Sequence, residues 1–114
     1  MEEAFEVRKI GRLDEVSETV QIEAGKKVKL VVERLVTWGK VDTLDDPRTM
    51  EFIFGSTQLI KGFELGLAEL SSGDIAEIGI RSDHGYGKRG QAHEVAPNED
   101  LFFKVEVHEV DKPD

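Results

Sequence analysis

Histidine is the residue type of this chain best suited to bind a metal ion, and it occurs as His84, His93 and His108. The spacing of these three residues matches no helical or loop pattern of metal ligands. The chain has no cysteine, which excludes disulfides, thiolate chemistry and cysteine-ligated zinc or iron–sulfur clusters. We therefore predict no metal site, and we interpret the histidines as solvated side chains on loops or strand faces.

The glycine-rich stretch Gly85–Gly90 is the segment most easily mistaken for a phosphate-binding loop. A P-loop requires a Ser or Thr directly after its lysine and a long helix behind it, whereas Arg89 follows Lys88 and no long helical pattern follows. The serines lie in turn contexts without the Gly-x-Ser-x-Gly pattern of a nucleophile elbow. The sequence therefore predicts neither a cofactor nor a catalytic nucleophile, and Gly87 and Gly90 are expected to shape the loop.

Apolar and aromatic residues are concentrated around the predicted turns of the chain. They are Phe52, Phe54, Leu59, Ile60, Phe63, Tyr86 and Phe103. One interpretation makes them ordinary core residues, which we favour for Phe52, Phe54 and Leu67. The other makes them a concave apolar pocket with a few polar groups at its rim, suited to a small apolar ligand or a peptide side chain.

The length and charge of the chain restrict its class. Its 114 residues suit a single domain, residues 1–114, and a hydrophobic content of 39% is that of a globular protein. The 24 acidic and 15 basic residues give a net charge of −9, which argues against nucleic-acid partners and anionic membranes. The sequence lacks an apolar run of about 20 residues and a secretory signal. We expect an intracellular protein, in the cytoplasm or alternatively the nucleus.

Most of the hydrophobic periodicity is that of β-strands, in which apolar and polar residues alternate. The predicted strands cover residues 28–33, 76–81 and 101–108, with a shorter strand at Met50–Phe54 and a weaker one at Phe5–Val7. Trp38-Gly39 is typical of a surface hairpin, with Trp38 partly exposed.

One segment has helical spacing instead. Its apolar stripe consists of Ile60, Phe63, Leu67 and Leu70. Gly62 and Gly66 weaken such a helix by about 1 kcal/mol each relative to alanine, so tertiary packing must hold it. We expect these glycines to allow a close approach to the sheet. Several antiparallel strands with one short helix give an α+β fold, in which the helix covers one face of a twisted sheet.

Several motifs, in one order and with compatible spacing, resemble a single family. They are Phe54-Gly55-x-x-Gln58-Leu-Ile60-Lys-Gly62-Phe63-Glu-x-Gly66-Leu67, then Gly73-Asp, then Asp83-x-x-Tyr86-Gly87-x-x-Gly90, then Pro97-Asn-x-x-Leu101-x-Phe103-x-Val105-Glu106-Val107. This combination resembles the FKBP-type peptidyl-prolyl isomerase domain, a rotamase of the immunophilin class. The resemblance covers about residues 25–110 and leaves 111–114 as an exit from the domain. It implies a five- to six-stranded antiparallel twisted sheet wrapped around one short helix.

The resemblance also implies which residues form the site. The Tyr86 hydroxyl would donate to a substrate carbonyl, and the backbone N–H of Ile60 would anchor another. Phe63 would form the pocket floor where the family usually has tryptophan, and Asp42 matches the family's pocket aspartate. The implied apolar walls are Leu59, Ile60, Val95 and Phe103.

The chain departs from the family pattern at several substrate-binding positions. Val32 replaces a usual tyrosine, Val41 a phenylalanine, Met50 another aromatic residue, Glu94 an isoleucine and Ala96 a proline. Each aromatic-to-aliphatic change removes about 1–2 kcal/mol of apolar contact. An acidic Glu94 would also bring water to the rim. These departures predict that rotamase activity is weakened or lost.

Two hypotheses about function result. In the first, the domain is a weak isomerase that acts as a monomer on X-Pro bonds of polypeptides, with a macrolide as a further ligand class. In the second, it is a non-catalytic module of a chaperone-associated multidomain protein and binds a protein partner. Neither hypothesis involves nucleic acid, a membrane, a metal or a cofactor.

Overall fold

The computed structural model describes residues 2–56, 58–91 and 95–112. Within these ranges the chain forms six strands, one α-helix and a 3-10 helix. In chain order they are β1 (Phe5–Arg12), β2 (Lys27–Thr37), β3 (Lys40–Val41), β4 (Arg48–Ile53), α1 (Lys61–Leu67), β5 (Asp74–Ile80), the 3-10 helix (Ser82–His84) and β6 (Leu101–Val110).

The six described strands form one antiparallel sheet in which β1, β5, β6, β2 and β3 lie side by side and β4 also pairs with β2. The long strand β2 pairs with β4 along residues 27–32 and with β3 near its end, which curls the sheet at this side. The prediction of an α+β fold with a five- to six-stranded antiparallel sheet and one short helix is confirmed. The weak strand predicted at Phe5–Val7 is the edge strand β1.

The hydrophobic core lies between one face of this sheet and α1. On β2, the alternating residues Val28, Leu30 and Val32 are 0–5% exposed and point into the core. Phe52, Phe54 and Leu67 belong to the same core cluster, which confirms their assignment as core residues. Burial of a single sheet face by a helix explains why polar residues occupy the alternate positions of these strands.

The close approach of α1 to the sheet depends on its two glycines. A Cβ added to Gly62 would lie 2.3 Å from Cγ2 of Ile80, and one added to Gly66 would lie 2.8 Å from Cγ2 of Ile78. This confirms the expected role of the glycines. The helix is shorter than the predicted stripe, because it ends at Leu67 and Leu70 is buried in the turn that follows. Among the described residues no helix has the length and apolar character needed to cross a membrane.

Trp38 lies at the turn between β2 and β3, half-buried against the outer face of the sheet. Its indole covers Gly79 of β5, where an added Cβ would lie 2.6 Å from Cζ2 of the indole. The indole meets the ring of Phe102 edge-on, with centroids 5.2 Å apart, and the Arg8 guanidinium lies 3.8 Å above it. The buried Glu77 carboxylate accepts a hydrogen bond of 3.0 Å from the backbone N–H of the residue after Trp38. The predicted surface hairpin is confirmed, and its turn is fixed to the sheet.

Candidate functional site

A cavity of about 610 Å³ lies where the ends of β2, β4 and β6 face the loop that carries Tyr86. This volume is in the range of small-molecule and peptide pockets. Its apolar lining consists of Val32, Leu44, Val95, Leu101 and Phe103, with Tyr86 beside them. The cavity therefore brings together four residues predicted from sequence, Val32, Tyr86, Val95 and Phe103.

The backbone of the loop after the 3-10 helix holds Tyr86 at the cavity. The carbonyl of Ser82 accepts hydrogen bonds from the N–H groups of Gly85 (3.0 Å) and Gly87 (2.8 Å), on both sides of Tyr86. Gly90 has φ of +64°, and a Cβ there would lie 2.3 Å from the carbonyl oxygen of Val95. Only glycine fits this conformation and this contact. The loop therefore holds the half-buried Tyr86 ring against the core while the ring lines the cavity.

Phe103 separates the cavity from Phe63. The two rings meet edge-on with centroids 5.4 Å apart and an interplanar angle of 66°. Phe103 lines the cavity, whereas Phe63 is 5% exposed and belongs to the core cluster. Phe63 thus supports the wall from behind, and its role as the pocket floor stays a prediction.

Charged side chains make up much of the remaining cavity wall. Arg34 of β2 lines the cavity, donates a hydrogen bond of 2.9 Å to the Glu99 carboxylate and lies 6.0 Å from the centroid of the Phe103 ring. Asp45, Asp46 and Arg48 line it as well. A peptide in this cavity would therefore meet both apolar surface and fixed charges.

Sequence reasoning missed Arg34, because the strand predicted from alternation ended at residue 33. A signal was nevertheless present. The inward positions on β2 are 28, 30 and 32, so continued alternation directs residue 34 to the same face. The structure extends β2 to Thr37 and places Arg34 directly opposite Phe103 of β6.

Asp42 organises the turn that carries Leu44, one of the residues that line the cavity. Its Oδ1 accepts a hydrogen bond of 3.0 Å from the N–H of Leu44, and its own N–H donates to the carbonyl of Arg34 at 2.9 Å. Leu44, which these bonds hold at the cavity, is 93% exposed. The carboxylate oxygen of Asp42 thus has a local partner in the turn.

The other predicted site residues are not among those that line the cavity. Met50, Leu59 and Ile60 are partly buried and pack against the core, and Val41 is 43% exposed on β3. Their functional roles, including the N–H of Ile60 as a substrate donor, stay predictions. Glu94 lies outside the described residues, and so does His93.

The described histidines are engaged in local contacts with acidic side chains. His108 Nε2 lies 3.4 Å from Glu106, and His84 Nδ1 lies 3.6 Å from Asp83. Hydrogen bonding by Arg81 is the main cause that lowers the pKa of Asp83 to about 2. In the part of the chain that the structure describes, no three His, Asp or Glu side chains are grouped so as to hold a metal ion.

Comparison with known proteins gives the family. The model of the FKBP-type peptidyl-prolyl cis-trans isomerase family matches residues 18–108, which is most of the chain. The chain belongs to this family. The match confirms the resemblance found in the motifs and extends it to residue 18, ahead of β2.

Three relatives illustrate how similar this FKBP domain is to known members. It is 39% identical over 56 residues to "FK506-binding protein 1" of Dictyostelium discoideum, covering 49% of this chain and 52% of that protein. It is 34% identical over 67 residues to "Peptidyl-prolyl cis-trans isomerase Fkbp12" of Drosophila melanogaster, covering 59% and 62%. It is 33% identical over 85 residues to a "Peptidyl-prolyl cis-trans isomerase" of Schizosaccharomyces pombe, covering 73% and 76%. The chain thus spans about half to three fifths of the length of the first two.

Proposed function

We propose that this FKBP domain binds X-Pro segments of polypeptides in the cavity and accelerates their cis–trans isomerisation weakly. The observation that carries the proposal is the convergence of Val32, Tyr86, Val95 and Phe103 on a single cavity of about 610 Å³. The family to which the chain belongs binds proline-containing peptides and macrolides in general. A macrolide is therefore a second proposed ligand of the same cavity.

The reaction requires no nucleophile and no metal. Rotation about an X-Pro bond has a barrier of about 18–20 kcal/mol because it breaks amide resonance, and the uncatalysed reaction takes tens to hundreds of seconds. The twisted amide carries less charge on its carbonyl than the planar amide, so an apolar environment favours it. In this proposal Phe103 and Val95 supply that environment, and the Tyr86 hydroxyl holds the peptide during rotation.

The composition of the cavity wall supports weak rather than strong catalysis. Arg34, Asp45, Asp46 and Arg48 bring water and fixed charge next to the apolar wall. Val32 offers less apolar contact than an aromatic residue would. Water and fixed charge stabilise the planar amide more than the twisted one, so they raise the barrier relative to a dry pocket.

The test is an NMR exchange measurement of cis–trans conversion in a short Leu-Pro peptide, without a coupled protease. We expect acceleration above the uncatalysed rate and a several-fold decrease in Tyr86→Phe, the effect of one lost hydrogen bond. Phe63→Leu should also slow the reaction, because it removes the ring behind Phe103. Phe54→Leu is the matched control, since Phe54 is similarly buried, at 7% against 5% for Phe63, but is not the ring that meets Phe103 edge-on.

The charged wall also favours a second candidate, a non-catalytic module that binds a protein partner. Charges fixed around a cavity contribute to specificity even where they oppose rotation. Peptide-dependent chemical-shift changes without any rate enhancement would support this candidate. Absence of both binding and acceleration at high protein concentration would contradict the proposed isomerase and would exclude this cavity as the X-Pro-binding site of the second candidate.

A further inference from the structure

The Arg34 side chain is a charged group held at the edge of the protein interior. Its strand position faces Phe103 on β6, it lines the cavity, and only 19% of its side chain is exposed. A guanidinium with so little water around it is stabilised by hydrogen bonds to protein or ligand groups. Arg34 is therefore a strong donor directed at the space that the proposed function assigns to a peptide.

Two contacts fix the orientation of this guanidinium. Nη2 donates to Oε2 of Glu99 at 2.9 Å, and the Phe103 ring centroid lies 6.0 Å from the guanidinium carbon. A guanidinium carries five N–H donors, and the Glu99 contact uses one nitrogen. The planar fork of N–H groups on the guanidinium is thus oriented before a ligand binds, which lowers the entropic cost of a further hydrogen bond.

We infer that Arg34 contacts the substrate and donates a hydrogen bond to a backbone carbonyl oxygen that flanks the X-Pro bond. This inference rests on the proposed function. The acceptor is not the carbonyl of the rotating bond, because a positive charge there would stabilise the planar amide and slow rotation. A side-chain carboxylate of the peptide is disfavoured, because Asp45, Asp46 and the Glu99 carboxylate that binds Arg34 offset the positive charge of Arg34 and Arg48 at this cavity.

A contact to a flanking carbonyl persists throughout the rotation. It strengthens binding of the planar and twisted forms equally, so its removal raises KM and the peptide Kd rather than lowering kcat. Arg34 therefore acts as a specificity residue, and it favours peptides whose backbone carbonyl beside the X-Pro bond is free to accept this hydrogen bond. A residue that only supported Phe103 would affect kcat as well, because the wall itself would change.

The experiment titrates the labelled 114-residue chain with a Leu-Pro peptide by NMR and measures exchange in the same samples. Arg34→Met keeps the apolar stem and removes the donors. We expect it to raise the peptide Kd and KM about tenfold or more, which is the effect of losing a hydrogen bond to a charged donor. Arg34→Lys keeps the charge without the fork and should give a smaller increase.

Two further variants separate binding from support of the wall. Glu99→Gln retains an acceptor for Arg34 and leaves all guanidinium donors in place, so it should raise Kd much less than Arg34→Met. Lys29→Met removes a positive charge from the outer, exposed side of the same strand and should leave Kd unchanged. The emission of Trp38, the single tryptophan of the chain, verifies that each variant is folded.

The inference is overturned if Arg34→Met binds the peptide as tightly as the wild type, or if Glu99→Gln and Arg34→Met lose affinity equally. A loss confined to Glu-Pro peptides, and absent for Gln-Pro peptides, would assign Arg34 to a carboxylate and refute the carbonyl acceptor. Failure of the wild type to bind any X-Pro peptide refutes the proposed function, and this inference with it. Binding by the wild type that is indifferent to Arg34 refutes the inference alone.

Discussion

Replacing Gly79 with alanine should displace Trp38 from the outer face of the sheet. The added Cβ would lie 2.6 Å from Cζ2 and 2.8 Å from Cη2 of Trp38, and 3.2 Å from Cε1 of Phe102. Gly79 cannot move away from these rings easily, because β5 is hydrogen-bonded to β1 on one side and β6 on the other. The indole must therefore shift, and its contacts with Arg8 and Phe102 are lost or weakened.

The sign of the change in the free energy of unfolding tests whether the Trp38 indole and the added methyl group compete for the same space. Loss of the edge contact with Phe102 costs about 0.5–1.5 kcal/mol, and loss of the cation–π contact with Arg8 about 0.5–1 kcal/mol. Removal of a strand glycine stabilises the folded chain by about 0.5–1 kcal/mol, because the unfolded chain loses freedom. The balance is a net destabilisation of about 1 kcal/mol. With open space above Gly79, the same substitution would stabilise the domain.

Urea unfolding followed by circular dichroism measures the free energy of unfolding, and the emission maximum of Trp38 reports its environment. We expect Gly79→Ala to lower the free energy and to shift the emission to longer wavelength. In a Trp38→Leu background the indole is absent and only the 3.2 Å approach to Phe102 remains, so the same substitution should destabilise the domain less than in the wild type or be neutral. A more stable Gly79→Ala protein with unchanged emission would refute the account of this contact.

Two further predictions concern other contacts. Asp83→Asn should be less stable than the wild type at pH 7, because Arg81 holds the pKa of Asp83 below its ordinary value of 3.8, at about 2. A carboxylate with a lowered pKa stabilises the folded chain above about pH 4, and this contribution is lost as the pH falls towards 2. Urea unfolding curves of the wild type and Asp83→Asn should therefore converge near pH 2. A difference in the free energy of unfolding that does not change with pH would contradict this prediction. Gly62→Ala should lower the thermal midpoint despite better helix propensity, because its Cβ would lie 2.3 Å from Ile80 Cγ2. A higher midpoint would mean that the core adapts without cost.

The strands that could be predicted from sequence are those with one face buried against the core and the other face polar. β2, β5 and β6 alternate clearly because their inner residues, such as Leu30, Ile78 and Val105, are fully buried. Alternation carried on from residues 28, 30 and 32 reaches Arg34, but it does not predict the further extension of β2 to Thr37. Leu35 is 3% exposed although it lies out of phase with the inner residues, and it pairs with Phe102 on the Trp38 side of the sheet. Strand pairing and burial on the second face are tertiary properties that local periodicity does not encode.

The candidate site was predictable only in part, because some of its residues are brought together by tertiary contacts rather than by a local pattern. Val32, Tyr86, Val95 and Phe103 were identified from family motifs, and the structure gathers them at one cavity. The phase of β2 directs Arg34 inward, but its charge argues against that position, because a charged residue usually ends an inward-facing run. Its burial depends on Glu99, which is 65 residues away in sequence and adjacent only in the folded chain.

Strand β2 carries both residues that form the core and a charged residue that lines the cavity. Val28 and Leu30 of β2 are fully buried, and Val32 is 5% exposed, so substitutions there affect the whole core. Two residues further on, Arg34 faces the cavity, where its guanidinium is stabilised by one carboxylate and one ring. A change at this position alters ligand recognition while the core stays packed. The core thus holds the sheet and helix while the cavity wall carries charge, so we expect peptide affinity, rather than fold stability, to be the property most sensitive to residue 34.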